Sequence, residues 1–301
     1  MKYEHRVVAF IDILGFKALL NDTVDNKGND DEAAIEAVVS AYEAIRDIWD
    51  LDTQSKLEDF GVSHASDSRE VSIFSDCLVV SFLVDQPKEV FFTLIDIQLL
   101  IMNLLSRNIL CRGAISIGKF IHTSKYLFGP ALVEAYTLES KAALYPRVIL
   151  DRAVIEAGIE HSSMSNNSSF DTNLINSLLK QDSDGMYYID YFYGAQSELN
   201  DPEYDFPNYI SNLGQIIRKG LMSASHHSKA DIRVKYLWMR ERYNDMIDIV
   251  TSKDAIENLE SRGQFDLVNF YKSLKKISPN RYAKQLGVSA KKYNKAFKSD
   301  S

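Results

Sequence analysis

One stretch near the start of the chain, Val7–Phe16, constrains the fold more than any other part of the sequence. Its apolar residues are interrupted by a lone carboxylate, Asp12, and Gly15 follows before a helix-like pattern begins. A buried strand ending in an acid and a tight turn suits a metal-phosphate site, because glycine lets backbone N–H groups approach phosphates without a Cβ in the way. The alternative is a core strand that ends at a surface turn, where Asp is common. The stretch predicts a core strand under both interpretations.

The composition is that of a globular protein with a sizeable core. Hydrophobic residues make up 46% of the 301 residues and charged residues 25%. The net charge of −8 disfavours nucleic acid as a partner, since binding to phosphate backbones needs a concentrated basic face. The two cysteines, Cys77 and Cys111, indicate neither a disulfide framework nor a zinc site. We therefore expect reduced thiols and a cytoplasmic location.

The apolar segments predict neither a signal peptide nor a membrane span. The run that ends at Asp12 is about ten residues long and lacks a cleavage region. The longest apolar stretch, residues 90–105, is interrupted by Asp96, Gln98 and Asn103. We expect it to be too short to cross a bilayer and to form a buried helix.

The first half of the chain alternates between helical and strand-like patterns. Apolar residues recur every three or four positions over 32–49, which predicts an amphipathic helix. Two β-rich segments over 70–83 flank Ser75-Asp76, the pattern of a hairpin with an acid at its turn. Further helices are expected at 87–107 and 131–143, and strands at 110–121 and 146–151. The fold class is therefore mixed α/β.

The second half of the chain is predicted to be mainly helical. A Ser/Asn-rich segment at 162–169 is a linker candidate, one strand is expected within 185–193, and helices follow from about 208. We divide the chain into a catalytic domain at 1–158, a linker with an additional strand at 159–207, and a helical C-terminal extension at 208–301.

Asp12 and Asp76 are the residues that carry candidate chemistry. Magnesium and manganese prefer oxygen ligands and keep several waters, so two carboxylates with substrate phosphates can complete a two-metal site. This requires the strands of the two aspartates to be neighbours. The alternative is two turn carboxylates that merely cap strands.

The order of these landmarks resembles the catalytic domain of the class III nucleotidyl cyclases over roughly residues 5–155. The first strand of that family carries Phe-x-Asp-Ile-x-Gly-Phe, which stands here at Phe10–Phe16. Its central hairpin carries a second metal-binding aspartate, here Asp76, its next strand resembles 112–118, and a glycine opens the following helix, as Gly129 does. The resemblance implies a ferredoxin-like palm with a central, mainly antiparallel sheet.

The resemblance also implies a metal site and a reaction. Asp12, Asp76 and the backbone carbonyl of Ile13 would bind two Mn²⁺ or Mg²⁺ ions. The ribose 3′-oxygen of a nucleoside triphosphate would attack the α-phosphate, and pyrophosphate would leave. Such sites form between two head-to-tail subunits, so the resemblance implies a homodimer with shared active sites.

Further residues are assigned to the substrate by the same resemblance. The base would lie near Ile73 and Tyr126, and Arg112 either helps to hold phosphate or pairs with a local carboxylate. The turn that holds the triphosphate would be the backbone of Leu14, Gly15 and Phe16.

Four positions depart from the purine cyclases. Ile73 and Tyr126 stand where adenylate cyclases have the base-reading Lys and Asp. Val133 and Thr137 stand where the family has its transition-state Asn and Arg. Lys119 and Arg147 are candidates for the missing cation, although a surface or salt-bridged role is the alternative for each. Helix charges such as Glu134 and Glu139 are expected to face solvent.

The departures make the chain similar to the bacterial Pycsar pyrimidine cyclases, an anti-phage branch of the family. This implies that the enzyme converts UTP, or else CTP, to a 3′,5′-cyclic nucleotide. One alternative is an inactive cyclase-like domain that binds a nucleotide as a sensor. Another is an interaction protein whose helical C-terminal half is the working part.

Overall fold

The computed structural model describes residues 1–49, 68–157, 177–224 and 230–278. The chain divides into two compact units, Met1–Glu198 and Leu199–Ser301. The predicted linker at 162–169 and the basic tail after 280 lie outside the described residues, as does nearly all of the loop expected between 50 and 69.

The first unit is built on one sheet whose described strands run mainly antiparallel. The strand order is β2-β3-β1-β4-β6-β8-β7, and β5 pairs with β4 off this path. Strands β4 and β6 are parallel. The strands are β1 (Glu4–Leu14), β2 (Glu70–Phe74), β3 (Cys77–Leu83), β4 (Leu110–His122), β5 (Leu127–Phe128), β6 (Val148–Leu150), β7 (Leu179–Gln181) and β8 (Tyr187–Ile189). The mixed α/β class and the mainly antiparallel sheet are confirmed.

Strands β7 and β8 extend this sheet beyond β6. They lie within 159–207, the range given above to a linker with an additional strand. Backbone pairing of β8 with β6 therefore joins this part of the chain to the first unit.

The helices that pack with the sheet include α1 (Phe16–Asp22), α2 (Glu32–Ile48), α3 (Pro87–Ser106) and α4 (Pro130–Lys141). Helix α2 begins at an N-cap, Asp31, whose side chain accepts a hydrogen bond from the backbone N–H of Ala34. Helices α2 and α3 pack against each other, and α4 packs on β1 and β4.

Helix α3 is more apolar than the other helices of this unit. By length and composition its segment Glu89–Ser106 could cross a membrane, with a mean hydropathy of 1.6, and 56% of that segment is buried within the fold. The stretch forms a helix as expected, and the helix begins three residues before Val90. Leu94, Ile97 and Leu100 are buried.

The face of the sheet that α4 covers is organised by alternation along the strands. Val8 and Phe10 of β1 pack with Val79 and Phe120 around small residues of the helix, Ala131 and Ala135. Small side chains let the helix lie close to the sheet. Because side chains alternate between faces with a period of two, Asp12 continues this same face.

The second unit is helical, which confirms the predicted class of the C-terminal part. Its helices are α5 (Pro202–Ser223), α6 (Ala230–Val250), α7 (Lys253–Ser261) and α8 (Phe265–Ser273). Helices α5 and α6 approach closely at Gly220, where a Cβ would lie 2.2 Å from the ring of Tyr236. The glycine therefore allows an aromatic ring to lie against the helix backbone.

Candidate active site

The pairing of β1 with β3 brings the two predicted aspartates together. Asp12 lies opposite Cys77 in the antiparallel register, and Asp76 immediately precedes Cys77. One ligand atom each from Asp12, Asp76 and Cys77 lies within 4.8 Å of the others. The backbone N–H of Ile13 donates to the carbonyl of Asp76 at 2.9 Å, so the turn is tied to the end of β1.

The hairpin turn that presents Asp76 is strained. Ser75 has a φ of 53°, which is in the left-handed region that residues other than glycine rarely enter. The hydroxyl of Tyr42 on α2 donates to the carbonyl of Ser75 at 2.6 Å. This hydrogen bond helps to hold the turn in the conformation that aims Asp76 at Asp12.

The donor set fits a hard divalent cation. Burial, with the charges of Asp76 and Asp12, raises the pKa of the Cys77 thiol to about 12, so the thiol is protonated at neutral pH. The carboxylate oxygens of Asp12 and Asp76 are the ligands that Mg²⁺ and Mn²⁺ prefer. These two residues would hold the metal, and Cys77 fills space beside them.

The segment after Asp12 forms the predicted turn. Gly15 has a φ of 78° and is the N-cap of α1, where its carbonyl accepts hydrogen bonds from the N–H groups of Ala18 and Leu19. Phe16 is buried, whereas Gly15 is exposed and Leu14 partly so. The exposed side of this turn adjoins the carboxylate pair.

Arg112 lies directly opposite Asp12 on β4. Its Nε is 3.2 Å from Oδ2 of Asp12 and 2.5 Å from Oε1 of Glu139 on α4. Both alternatives given above for Arg112 therefore remain: it pairs with local carboxylates, and it stands beside the candidate metal pair. Its side chain is 24% exposed, so solvent or a ligand can reach it.

The solvent exposure predicted for Glu139 from the sequence is wrong. It was expected to face solvent, but it is 2% exposed. Burial, opposed by Arg112 and assisted by Asp12, raises the pKa of its carboxyl to about 7. The signal was present in the sequence, because Glu139 follows Ala131 and Ala135 at intervals of four, which places it on the same helix stripe as these buried alanines.

Ile73 and Asp12 lie on opposite faces of the sheet. Ile73 pairs with Leu78, which pairs with Ile11, and it lines a small apolar pocket with Leu100 and Leu104 of α3. Its neighbour Ser72 faces the same side as Asp12, since it pairs with Val79 and Val79 pairs with Phe10. The hydroxyl of Ser72, which was not predicted from the sequence, is a polar group that β2 turns to this face.

A buried polar network fixes Ser72 near the end of β4. The ring of His122 has its Nε2 2.9 Å from Oγ of Ser72 and its Nδ1 2.9 Å from Oγ of Ser81. Nε of Arg6 donates to the same Ser81 hydroxyl at 3.0 Å. Burial and the charge of Arg6 lower the pKa of His122 to about 4, so the ring is neutral.

Tyr126 follows this network in the chain. It lies in the turn between β4 and β5, where its N–H donates to Oγ1 of Thr123 at 3.0 Å, and its side chain is 50% exposed. The hydrogen bond between His122 and Ser72 places the end of β4, from which this turn starts, close to β2. Tyr126 thus presents its ring and hydroxyl to solvent.

Val133 and Thr137 occupy the two positions at which the resembled family has its transition-state residues, and neither presents a free polar group to solvent. Val133 is 64% exposed, and the hydroxyl of Thr137 donates back to the carbonyl of Val133 at 2.7 Å. Arg147 is fully buried and is ion-paired with Asp182 and Asp184. The salt-bridged alternative therefore describes Arg147.

No protein-family model matches the chain, and no curated protein matches it. Solved structures similar to part of it include a bacterial light-regulated adenylyl cyclase, 18% identical over 51% of this chain and 79% of that chain, with a TM-score of 0.35. A second structure of this kind is 16% identical over 52% of this chain and 45% of that chain, with a TM-score of 0.31. A class III adenylyl cyclase-like ATP-binding protein from Pseudomonas aeruginosa is 12% identical over 57% of this chain and 40% of its own, with a TM-score of 0.33.

Proposed function

We propose that the protein is a nucleotidyl cyclase that converts a pyrimidine nucleoside triphosphate, UTP in preference to CTP, to a 3′,5′-cyclic nucleotide and pyrophosphate. The observation that carries the proposal is the pair Asp12 and Asp76, which are 64 residues apart in sequence and meet at the end of a rigid strand pair. Together with the Phe10–Phe16 motif, this pair is the equipment for metal-assisted attack on a phosphate.

The residues of the candidate site would each have a task in the proposed reaction. Asp12 and Asp76, with the backbone carbonyl of Ile13, would hold two Mn²⁺ or Mg²⁺ ions, which would supply Lewis acidity towards the 3′-oxygen and the phosphates. The turn Leu14–Phe16 positions the triphosphate through its backbone. Arg112 lies on the same face and is within reach of the phosphates.

The proposed pyrimidine preference is supported by the polar side chains near the position expected for the base. Adenine is read by matched donors and acceptors, and a site without the Lys and Asp of adenylate cyclases lacks them. Ser72 and Tyr126 offer hydroxyl groups instead, which can donate to the carbonyl oxygens of uracil and accept from its N3–H. The proposed role of the product, a second messenger in anti-phage defence within the cytoplasm, rests on the sequence resemblance.

The proposed shared sites are supported by an apolar face beside α4. Tyr3, Phe128, Val133 and Tyr136 are each 45–64% exposed. Tyr3 contacts Phe128 edge-on, and Tyr136 contacts Phe10 in the same way. Exposed aromatic residues of this kind are typical of interfaces. We propose that a second copy of the chain covers them, with the catalytic domain at 1–158 forming the dimer and 208–301 as a helical extension.

The test is to incubate the purified chain with each of the four ribonucleoside triphosphates and Mn²⁺ and to identify products by mass spectrometry. We expect a cyclic pyrimidine nucleotide. Asp12→Asn or Asp76→Asn should lower its formation by at least about 100-fold, because the metal ligands are lost. Asp47→Asn, at an exposed position on α2, is the matched control. Cyclic AMP as the main product would contradict the pyrimidine assignment.

A second function is favoured by Val133 and Thr137. A cyclase-like domain without the usual transition-state residues can bind a nucleotide and signal its presence without turnover. Tight, metal-dependent binding of UTP or CTP with no cyclic product under any metal would identify this function and exclude the enzyme.

A further inference from the structure

The two turns that flank the carboxylate pair share one side chain, that of Tyr42 on α2. Its hydroxyl donates to the carbonyl of Ser75 at 2.6 Å, in the hairpin turn that presents Asp76. Its ring contacts the ring of Phe16 edge-on, with the ring centroids 6.2 Å apart, and Phe16 is the first residue of α1, just beyond the turn that follows Asp12. One residue of α2 therefore contacts the chain on both sides of the candidate metal site.

The hairpin turn depends on support from outside, because its sequence does not favour its conformation. The loop between β2 and β3 has two residues, Ser75 and Asp76, and of these only Ser75 has a positive φ, 53°. Glycine is the residue that two-residue hairpin loops favour at a first position with positive φ. A serine there is strained, and the turn can relax by rotating and taking Asp76 with it. The hydrogen bond from Tyr42 opposes this rotation.

Tyr42 is itself held in place well enough to give this support. Its neighbours Ala41, Ala44 and Ile45 on α2 are buried, and α2 packs against both α1 and α3. Burial and the charge of Asp76 raise the pKa of the Tyr42 hydroxyl, so the group is protonated at neutral pH and can donate. The hydroxyl therefore ties the hairpin turn to a packed layer of helices.

We propose that Tyr42 is a positioning residue for metal binding, which sets the metal affinity of the pair Asp12 and Asp76 by holding the Asp76 turn against the end of β1. A Mg²⁺ ion needs its oxygen ligands at about 2.1 Å in near-ideal geometry, so both carboxylates must keep a fixed separation. Loss of the Tyr42 hydroxyl leaves both carboxylates in the chain but lets one of them move. This inference rests on the proposed cyclase function and adds to it a residue of α2 that determines how tightly the metal binds.

The first test is Mn²⁺ binding to the full-length chain without nucleotide, followed by electron paramagnetic resonance. The binding that Asp76→Asn removes is assigned to the site. Tyr42→Phe keeps the ring and removes only the hydroxyl, and it should weaken this binding by about 5-fold, the size expected for one hydrogen bond. Tyr191→Phe is the matched control, because the Tyr191 hydroxyl also donates to a backbone carbonyl at 2.6 Å, that of Pro146, which belongs to neither turn. Equal weakening by the two substitutions would overturn the inference.

A second substitution separates positioning from a general structural role. Ser75→Gly removes the strain of the turn, since glycine adopts a positive φ without steric cost. In this background Tyr42→Phe should weaken Mn²⁺ binding by less than about 2-fold, because the turn no longer needs the hydrogen bond. If the full loss persists in Ser75→Gly, Tyr42 acts through packing and the positioning role is wrong. Melting temperatures verify that the compared variants are folded.

Turnover distinguishes failure of this inference from failure of the proposed function. Tyr42→Phe should raise the Mn²⁺ concentration for half-maximal cyclic nucleotide formation by about 5-fold and leave kcat at saturating Mn²⁺ near the wild-type value. The same shift decides the matter if Mn²⁺ binds only together with nucleotide.

The combined outcomes assign each failure to one of the two claims. If Tyr42→Phe binds Mn²⁺ more weakly but the wild-type chain forms no cyclic nucleotide, the cyclase function is wrong and the role of Tyr42 stands. If the wild type is active and Tyr42→Phe has the wild-type Mn²⁺ dependence, the inference is overturned and the function stands. If Asp76→Asn removes no Mn²⁺ binding and the wild type forms no product, both are wrong.

Discussion

At the scale of single residues, the site depends on a backbone conformation and a buried carboxyl that would each destabilise the fold by themselves. Ser75 occupies the left-handed region, which costs an L-residue about 1–2 kcal/mol. Glu139 buries a carboxyl beside Asp12. Strained backbone and buried acids are concentrated at functional sites, because the surrounding fold can hold them there.

His122 gives a prediction about stability and pH. Its pKa is about 4 in the folded chain and its ordinary value is 6.5. Between these values the unfolded chain binds a proton that the folded chain does not, so the unfolding free energy should fall as the pH drops from 6.5 towards 4. Above 6.5 this contribution is constant.

The measurement is urea unfolding at a series of pH values. His122→Gln should lose most of this dependence, whereas His5→Gln, at an exposed position on β1, should keep it. If wild type and His122→Gln have parallel stability profiles between pH 4 and 6.5, His122 is not buried and neutral as the structure describes.

The sequence predicted some site residues because their signal is local. Asp12 was identifiable because it is the one carboxylate in an apolar run, and Asp76 because it lies between two β-rich segments. Ile73 was assigned to the base because of its sequence spacing from Asp76. This spacing does not determine to which face of β2 the side chain points. Strand pairing decides the face, and pairing between distant segments cannot be read from a spacing.

At the scale of elements, a glycine fixes the approach of α4 to the sheet. Gly129 precedes the helix with a φ of 156°, and a Cβ there would lie 2.6 Å from the carbonyl oxygen of Lys119. The backbone of the helix start therefore lies directly against β4. Because this contact fixes the start of α4 on the sheet, it also sets the position of Glu139, which lies about two and a half turns further along the helix and contacts Arg112.

We predict that Gly129→Ala destabilises the fold by about 2–3 kcal/mol, as expected for overpacking against a rigid backbone combined with strain. Gly28→Ala is a control that separates the two causes, because Gly28 also has a positive φ, 84°, but a Cβ there would contact nothing within 4 Å. It should cost only about 1 kcal/mol. Equal losses in chemical denaturation would show that the close contact with β4 is unimportant.

The long elements were predicted well from periodicity, whereas one short strand was missed. Helix α2 was expected at 32–49 and spans Glu32–Ile48, and β4 was expected at 110–121 and spans Leu110–His122. Strand β7, Leu179–Gln181, was not anticipated. Three residues are too few to show a period, and β7 exists because β8 offers it a pairing edge.

At the scale of the whole molecule, the exposed face formed by Tyr3, Phe128, Val133 and Tyr136 should decide the assembly state. We expect the wild-type chain to have the mass of a dimer by light scattering. Tyr136→Glu should shift it to the mass of a monomer and abolish turnover, because a buried, unpaired charge at an interface is costly. Tyr204→Glu, an exposed tyrosine of the second unit, should remain dimeric and active. A dimer that persists in Tyr136→Glu would place the interface elsewhere.

The hydrogen bond between Asp12 and Arg112 joins residues that are 100 positions apart, and the contact of Arg6 with Ser81 spans 75 positions. Contacts of such separation form late in folding, because a long loop must close before they are gained. During synthesis, β1 leaves the ribosome long before β4 exists to pair with it. The edge of the opening strand that pairs with β4 is therefore exposed throughout this interval, and premature termination before residue 112 would leave an apolar strand edge that is prone to pair with other chains.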